Sequence, residues 1–136
     1  IDIDSSDRPV VGLTPTYGPG WGAVRLTPGM RFDDDFSGNG IVTRDCRCFS
    51  NTGVLTDDGL VMLGGTLHRD SRTVGVLVTN QGTFDDEFAA AGPFNISARG
   101  EYVQSAAVDA SGRILFAGLT DGAKSDAYVA RLDLIH

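Results

Sequence analysis

Histidine, cysteine and tryptophan are scarce in this chain, basic residues are outnumbered, and no long apolar run is present. The two histidines, His68 and His136, stand far apart, so one chain offers no two-histidine metal site. No GxSxG, HExxH or phosphate-cradling glycine pattern occurs, and enzymatic activity from this chain alone is not expected. Eleven Lys and Arg against eighteen Asp and Glu leave a net charge of −7, which opposes nucleic acid and anionic membrane, since both reward clustered cations. No stretch approaches the roughly 20 apolar residues of a membrane span, and Ile1 does not begin a signal peptide. Numbering that starts at Ile leads us to expect a processed or trimmed chain. The two cysteines lie in RDCRCF, as Cys46 and Cys48. On an extended backbone their Cα atoms would stand about 7 Å apart, the far edge of disulfide geometry. A local bridge, two free thiols and bridges to another chain all stay open, so the redox compartment is undetermined. Metal binding by a lone CxC is a weak reading.

What the chain does have is glycine, 18 of them, and self-similarity. IDIDSSDRPVVG (1–12), VLTDDGLVMLGG (54–65) and AVDASGRILFAG (107–118) follow one another at a step of 53 residues. AVRL (23–26) falls on GVLV (75–78) and VARL (129–132), and Phe32 to Phe36 (FDDDF) falls on Phe84 to Phe88 (FDDEF). A fixed period of this length signals stacked supersecondary units. The units run 1–53, 54–106 and 107–136, the last one cut short, all within one structural domain.

Each unit reads as short strands. An apolar run (Gly53 to Leu55, Ala106 to Val108) meets a turn ending in Gly (Asp57-Asp58-Gly59, Ala110-Ser111-Gly112), which is a hairpin signal because Gly supplies positive φ. The next run, Leu60 to Leu67 or Arg113 to Leu119, is almost continuously apolar, as in a strand covered on both faces. In the first unit Asp4-Ser5-Ser6-Asp7 lacks the Gly and Pro9 lacks an N–H, so its hairpin is predicted to be the least regular. A third strand is predicted at Gly22 to Leu26, Thr73 to Val78 and Ala127 to Leu132, and a weaker fourth at Ile41 to Arg44 and Phe94 to Ser97. The fold class is therefore all-β: antiparallel four-stranded units, about three per chain, packed face to face as β-propeller-like blades or in a stack.

The DDG or ASG turn followed by LVMLGG or ILFAG and then VGVLVTNQGTFDDEF resembles the delta-60 repeat. The resemblance covers nearly the whole chain, is clearest from Val54 to Leu132, and puts Phe84 to Phe88 where that family carries its LDTSF. It implies a propeller-like bacterial repeat of secreted or surface proteins, hence an extracellular or cell-surface location. It carries no agreed activity, cofactor or catalytic residue.

Candidate binding residues sit in the loops that differ most between units. Tyr17 and Trp21, in PTYGPGW, suit stacking on a sugar ring or anchoring a partner if exposed; the other reading packs Trp21 between units. The corresponding loops offer His68, Arg69, Asp70 and Arg72, and Asp121, Lys124 and Asp126, which as charged loop tips also fit plain solvation. Asp33, Asp35, Asp85 and Glu87 recur at one place in the unit and have the oxygen chemistry of a calcium site. Asp after a turn equally accepts hydrogen bonds from nearby backbone N–H groups, and that reading leaves the chain with no metal and no cofactor. Asn95-Ile96-Ser97 matches a glycosylation acceptor on a predicted strand.

These readings converge on a non-enzymatic extracellular structural or binding module. Its fourth strands are expected to complete the following blades. Its array is expected to finish by assembling with other copies or another chain, with a glycan or protein as further ligand. A scaffold subunit or processed fragment of a larger enzyme, and a carbohydrate-binding lectin, are the alternatives.

Overall fold

The computed structural model describes residues 1–14, 20–66, 73–90, 101–120 and 126–132. Three antiparallel sheets follow one another along the chain. The first holds β1 (Asp2–Ile3), β2 (Pro9–Leu13), β3 (Gly20–Arg25) and β4 (Ile41–Asp45) in that order. The second holds β5 (Cys48–Thr56), β6 (Gly59–Thr66) and β7 (Thr73–Thr79), after which comes a single-turn helix, α1 (Asp86–Ala90). The third holds β8 (Glu101–Val108), β9 (Ile114–Thr120) and β10 (Ala127–Leu132).

The second sheet is the centre of the stack, and its sequence says why. Residues 60–63 of β6 are apolar at every position, and all four side chains are buried. Alternation along the strand sends Leu60 and Met62 into a cluster with Val10, Trp21 and Ala23 of the first sheet, together with Val76 and Val78 of β7. Val61 and Leu63 point the other way, with Val54 and Leu77, onto Val103, Ile114 and Phe116 of the third sheet. Two separate cores result, and the continuous apolar run is the signature of a strand covered on both faces.

The expected four-stranded unit is found once. The first sheet has four strands, the other two have three among the described residues, and Phe94 to Ser97 lies outside those residues. β4 does not complete the next sheet as anticipated; it pairs with β3, Trp21 opposite Arg44 and Ala23 opposite Val42. The Arg25 N–H, bonded to the Gly40 carbonyl at 3.0 Å, starts this pairing directly after the turn. The chain changes sheet at Cys46 and Arg47, so the sequence periods starting at 54 and 107 fall inside β5 and β8.

Cys46 and Cys48 form a disulfide at that change of sheet, with Cα atoms 5.3 Å apart. The bend at Arg47 shortens the extended spacing and brings the two sulfurs together.

The first hairpin has the shortest pairing, two residues of β1, but its turn is formed like that of the third sheet. Asp7 adopts φ 58° where Gly112 has φ 76° in the third sheet, and Asp is one of the few side chains that visit this region at modest cost. Pro9 is accommodated because it opens β2, where a missing N–H is least harmful. The two Phe-acidic segments begin alike: Leu26 bridges Phe32 and Val78 bridges Phe84, while the N–H groups of Asp33 and Asp85 bond the carbonyls of Arg25 and Leu77. They then part. Asp85 caps α1, whereas Ser37, Gly38 and Gly40, all at positive φ, carry the first copy through a turn into β4.

Candidate functional site

The turns that close β1–β2, β5–β6 and β8–β9 lie together along one side of the stack and line a groove of about 720 Å³. The first and third turns are built alike. Asp4 Oδ1 accepts the N–H groups of Ser6 (2.9 Å) and Arg8 (3.0 Å), and Asp4 Oδ2 accepts Arg8 Nε at 2.7 Å. Asp109 treats Ser111, Arg113 and Arg113 Nε the same way, at 2.8, 3.1 and 2.7 Å. The sequences DSSDR and DASGR thus encode one device, an Asx turn locked by an arginine four residues on. The second turn has one residue fewer. Gly59 is already paired across from Thr56, so Asp57 and Asp58 alone form the loop.

Partial burial by itself would raise the Asp4 carboxyl. The N–H groups of Arg8 and Ser6 and the Arg8 guanidinium outweigh that effect and hold Asp4 below the ordinary carboxylate range. Desolvation would raise Asp109 as well, and the N–H groups of Arg113 and Ser111 with the Arg113 guanidinium outweigh it and hold that carboxyl low. Both groups are therefore fixed as anions, poor as general acids and already committed to their own turns. Asp2, Asp57 and Asp58 add further carboxylates to the groove wall, against Arg8 as its cation. Its field favours cationic or hydrogen-bond-donating groups.

The residues singled out in the sequence scatter. Trp21 is 2% exposed in the core between the first two sheets, so the surface-stacking role is corrected: β3 alternation turns Trp21, Ala23 and Arg25 toward the second sheet. Tyr17, His68, Arg69, Asp70, Arg72, Asp121 and Lys124 lie outside the described residues. Asp126 is exposed and closes the foot of the β9–β10 connection, its N–H on Thr120 Oγ1 at 3.1 Å and its carbonyl on the Thr120 N–H at 2.9 Å.

The four acidic residues weighed for calcium do not converge. Asp33 is buried, with Oδ2 on Arg25 Nε at 2.7 Å and Oδ1 on the Asp35 N–H at 3.1 Å. Asp85 Oδ1 accepts the N–H groups of Glu87 (2.9 Å) and Phe88 (3.0 Å), the work of a helix cap. Asp35 and Glu87 point to solvent. Among the described residues no group of three His, Cys, Asp or Glu side chains could hold a metal ion.

Sequence reasoning missed the arginines. Arg25 is buried, paired with Asp33, stacked 4.9 Å over the Phe36 ring, and bonded through Nη1 to the Asn80 carbonyl of the second sheet at 2.7 Å. The recurrence of Arg four residues after Asp4 and Asp109 was the available signal. Alignment on the turn glycine hid it, because Gly59 is a strand residue and Gly112 a turn residue.

Against protein-family models, curated proteins and solved structures alike, the chain finds no match. No helix of the described residues is long and apolar enough to cross a membrane. Chemically, the groove offers Asp4 and Asp109 held as anions by their own turns. Arg8, Arg25, Arg44 and Arg113 are engaged in ion pairs, and the outer sheets expose apolar side chains.

Proposed function

We propose that this chain is a non-enzymatic extracellular structural or binding module, built of propeller-like repeats akin to the delta-60 repeat, that assembles with other chains through the ends of its stack. The observation that carries this reading is the pair of outer faces. β9 and β10 present Leu115, Leu119 and Val129 to solvent, and the opposite end of the stack presents Ile3 and Ile41. Apolar faces of this kind mark sites of association. The Cys46–Cys48 bridge supports an oxidising, extracellular compartment. The acidic groove formed by the turns is a second surface, which shares Ile3 with the outer face of the first sheet.

The native mass of the protein as isolated from its source, with every chain in the particle identified, tests this reading. A particle larger than 14.3 kDa is expected. A lone monomer in the native material would refute the assembling role.

A further inference from the structure

The hydrogen-bond register places the three sheets in correspondence. Val10, Val61 and Leu115 occupy one position, paired respectively with Arg25, Leu77 and Arg131. In the first two sheets this position faces the following sheet and is buried: Val10 and Arg25 lie against the second sheet, Val61 and Leu77 against the third. In the third sheet the same face carries Leu119 at 44% exposure, together with Leu115 and Val129 at 76%, and the last two line a shallow depression of about 160 Å³. The opposite face tells the complementary story. Met62 of β6 and Phe116 of β9 are buried by the preceding sheet, and their counterpart Val11 stands on the outer face of the first sheet, between Ile3 at 53% exposure and Val24, which pairs with Ile41. Among the described residues nothing covers either face.

One chain thus displays both halves of an interface that it already makes twice internally. We infer that the partner is a second copy of this chain, docked head to tail, with the outer face of β9 and β10 of one copy on the outer face of β2, β3 and β4 of the next. The contact continues the sheet-to-sheet packing of the monomer. Arg131 holds the position from which Arg25 crosses to the Asn80 carbonyl, and the corresponding carbonyl on the incoming copy is that of Pro28, in the turn that matches Thr79 to Gly82 hydrogen bond for hydrogen bond. Two different patches meet, so the contact is heterologous and adds copies until the rotation closes or a filament runs on. This inference rests on the reading of the chain as an assembling module and names its partner.

Sedimentation velocity of the purified chain between micromolar and hundred-micromolar concentration, on two variants blocked at opposite ends, provides the test. Val129→Glu removes the tail face and Ile41→Glu the head face; both residues are exposed, so each variant is expected to fold with the wild-type circular dichroism. The wild type should sediment as particles heavier than 14.3 kDa, and each variant alone should associate at least about tenfold more weakly, because a carboxylate would have to be desolvated at the contact. Mixed together, the two variants should form a one-to-one dimer and stop, since only one intact head and one intact tail remain. A monomeric wild type across the range overturns the inference, and so does a mixture no heavier than its parts. If the pure chain is monomeric while native material holds a different chain, this inference fails and the assembling role stands.

Discussion

Arg25 Nη1 of the first sheet donates to the Asn80 carbonyl of the second at 2.7 Å, carrying a buried guanidinium across the sheet-to-sheet boundary. Its charge is met by Asp33, which Arg8 Nη1 also approaches at 3.5 Å, and its plane lies over Phe36. Breaking such a pair from one side leaves an uncompensated charge in the core. Asp33→Ala is expected to cost about 3 kcal/mol in urea unfolding, whereas replacing Arg25 and Asp33 together with Met and Leu should cost much less. A loss below about 1 kcal/mol for Asp33→Ala would show that water reaches Arg25 and that the pair does not hold the sheets together.

The matching turns allow a reciprocal exchange. Asp7 and Gly112 share the left-handed conformation, which favours Gly over Asp. Gly112→Asp is expected to destabilise by about 0.5–1 kcal/mol and Asp7→Gly to stabilise by a few tenths. Thermal midpoints moving in the same direction for both substitutions would show that the turns are not equivalent.

Much of this architecture was legible in the sequence. The unbroken apolar run of β6 announced a strand covered on both faces, and the alignment of AVRL, GVLV and VARL matches the observed register of β3, β7 and β10. The hairpin turns were less legible. A turn one residue longer in the first and third sheets shifts the alignment while leaving the apolar pattern almost intact. Trp21 could be read either as packed between units or as a surface stacking residue, and the packed reading holds because β3 starts at Gly20, within glycines that look like loop. The disulfide was left open for a geometric reason: extended spacing argues against it, and only the bend at Arg47 makes it reachable. As to function, the conspicuous charged residues fall largely in segments beyond the described ones, while the apolar end faces became visible only once the sheets were stacked.

The turn carboxylates set a pH dependence with a definite sign. Asp4 and Asp109 are held below the ordinary value of 3.8 in the folded chain. Unfolded, they bind protons more readily, so the stability they contribute is fully present above about pH 4 and is lost as pH falls through their lower folded values. Asp4→Asn should flatten the acid limb of a plot of stability against pH and leave its shape above pH 5 unchanged. An unaltered acid limb in both Asp4→Asn and Asp109→Asn would assign acid unfolding to other carboxylates.

The Cys46–Cys48 bridge is the last feature whose contribution can be separated by experiment. It encloses a single residue, so it removes little chain entropy from the unfolded state: about 1–2 kcal/mol, against about 3 for a loop of fifteen residues. Reduction should therefore lower the urea midpoint without unfolding the chain. The two cysteines are unequal in burial, however, since Cys48 belongs to the core shared with Trp21 and Met62 and Cys46 only packs against its margin. Cys48→Ser places a hydroxyl in that core, and Cys46→Ser leaves a thiol there instead. With both variants lacking the bridge, Cys48→Ser should be the less stable by about 1 kcal/mol or more. Equal stabilities for the two variants would mean that Cys48 is not packed between the sheets. Complete unfolding on reduction would mean that the bend at Arg47, and with it the passage from the first sheet to the second, depends on the covalent link.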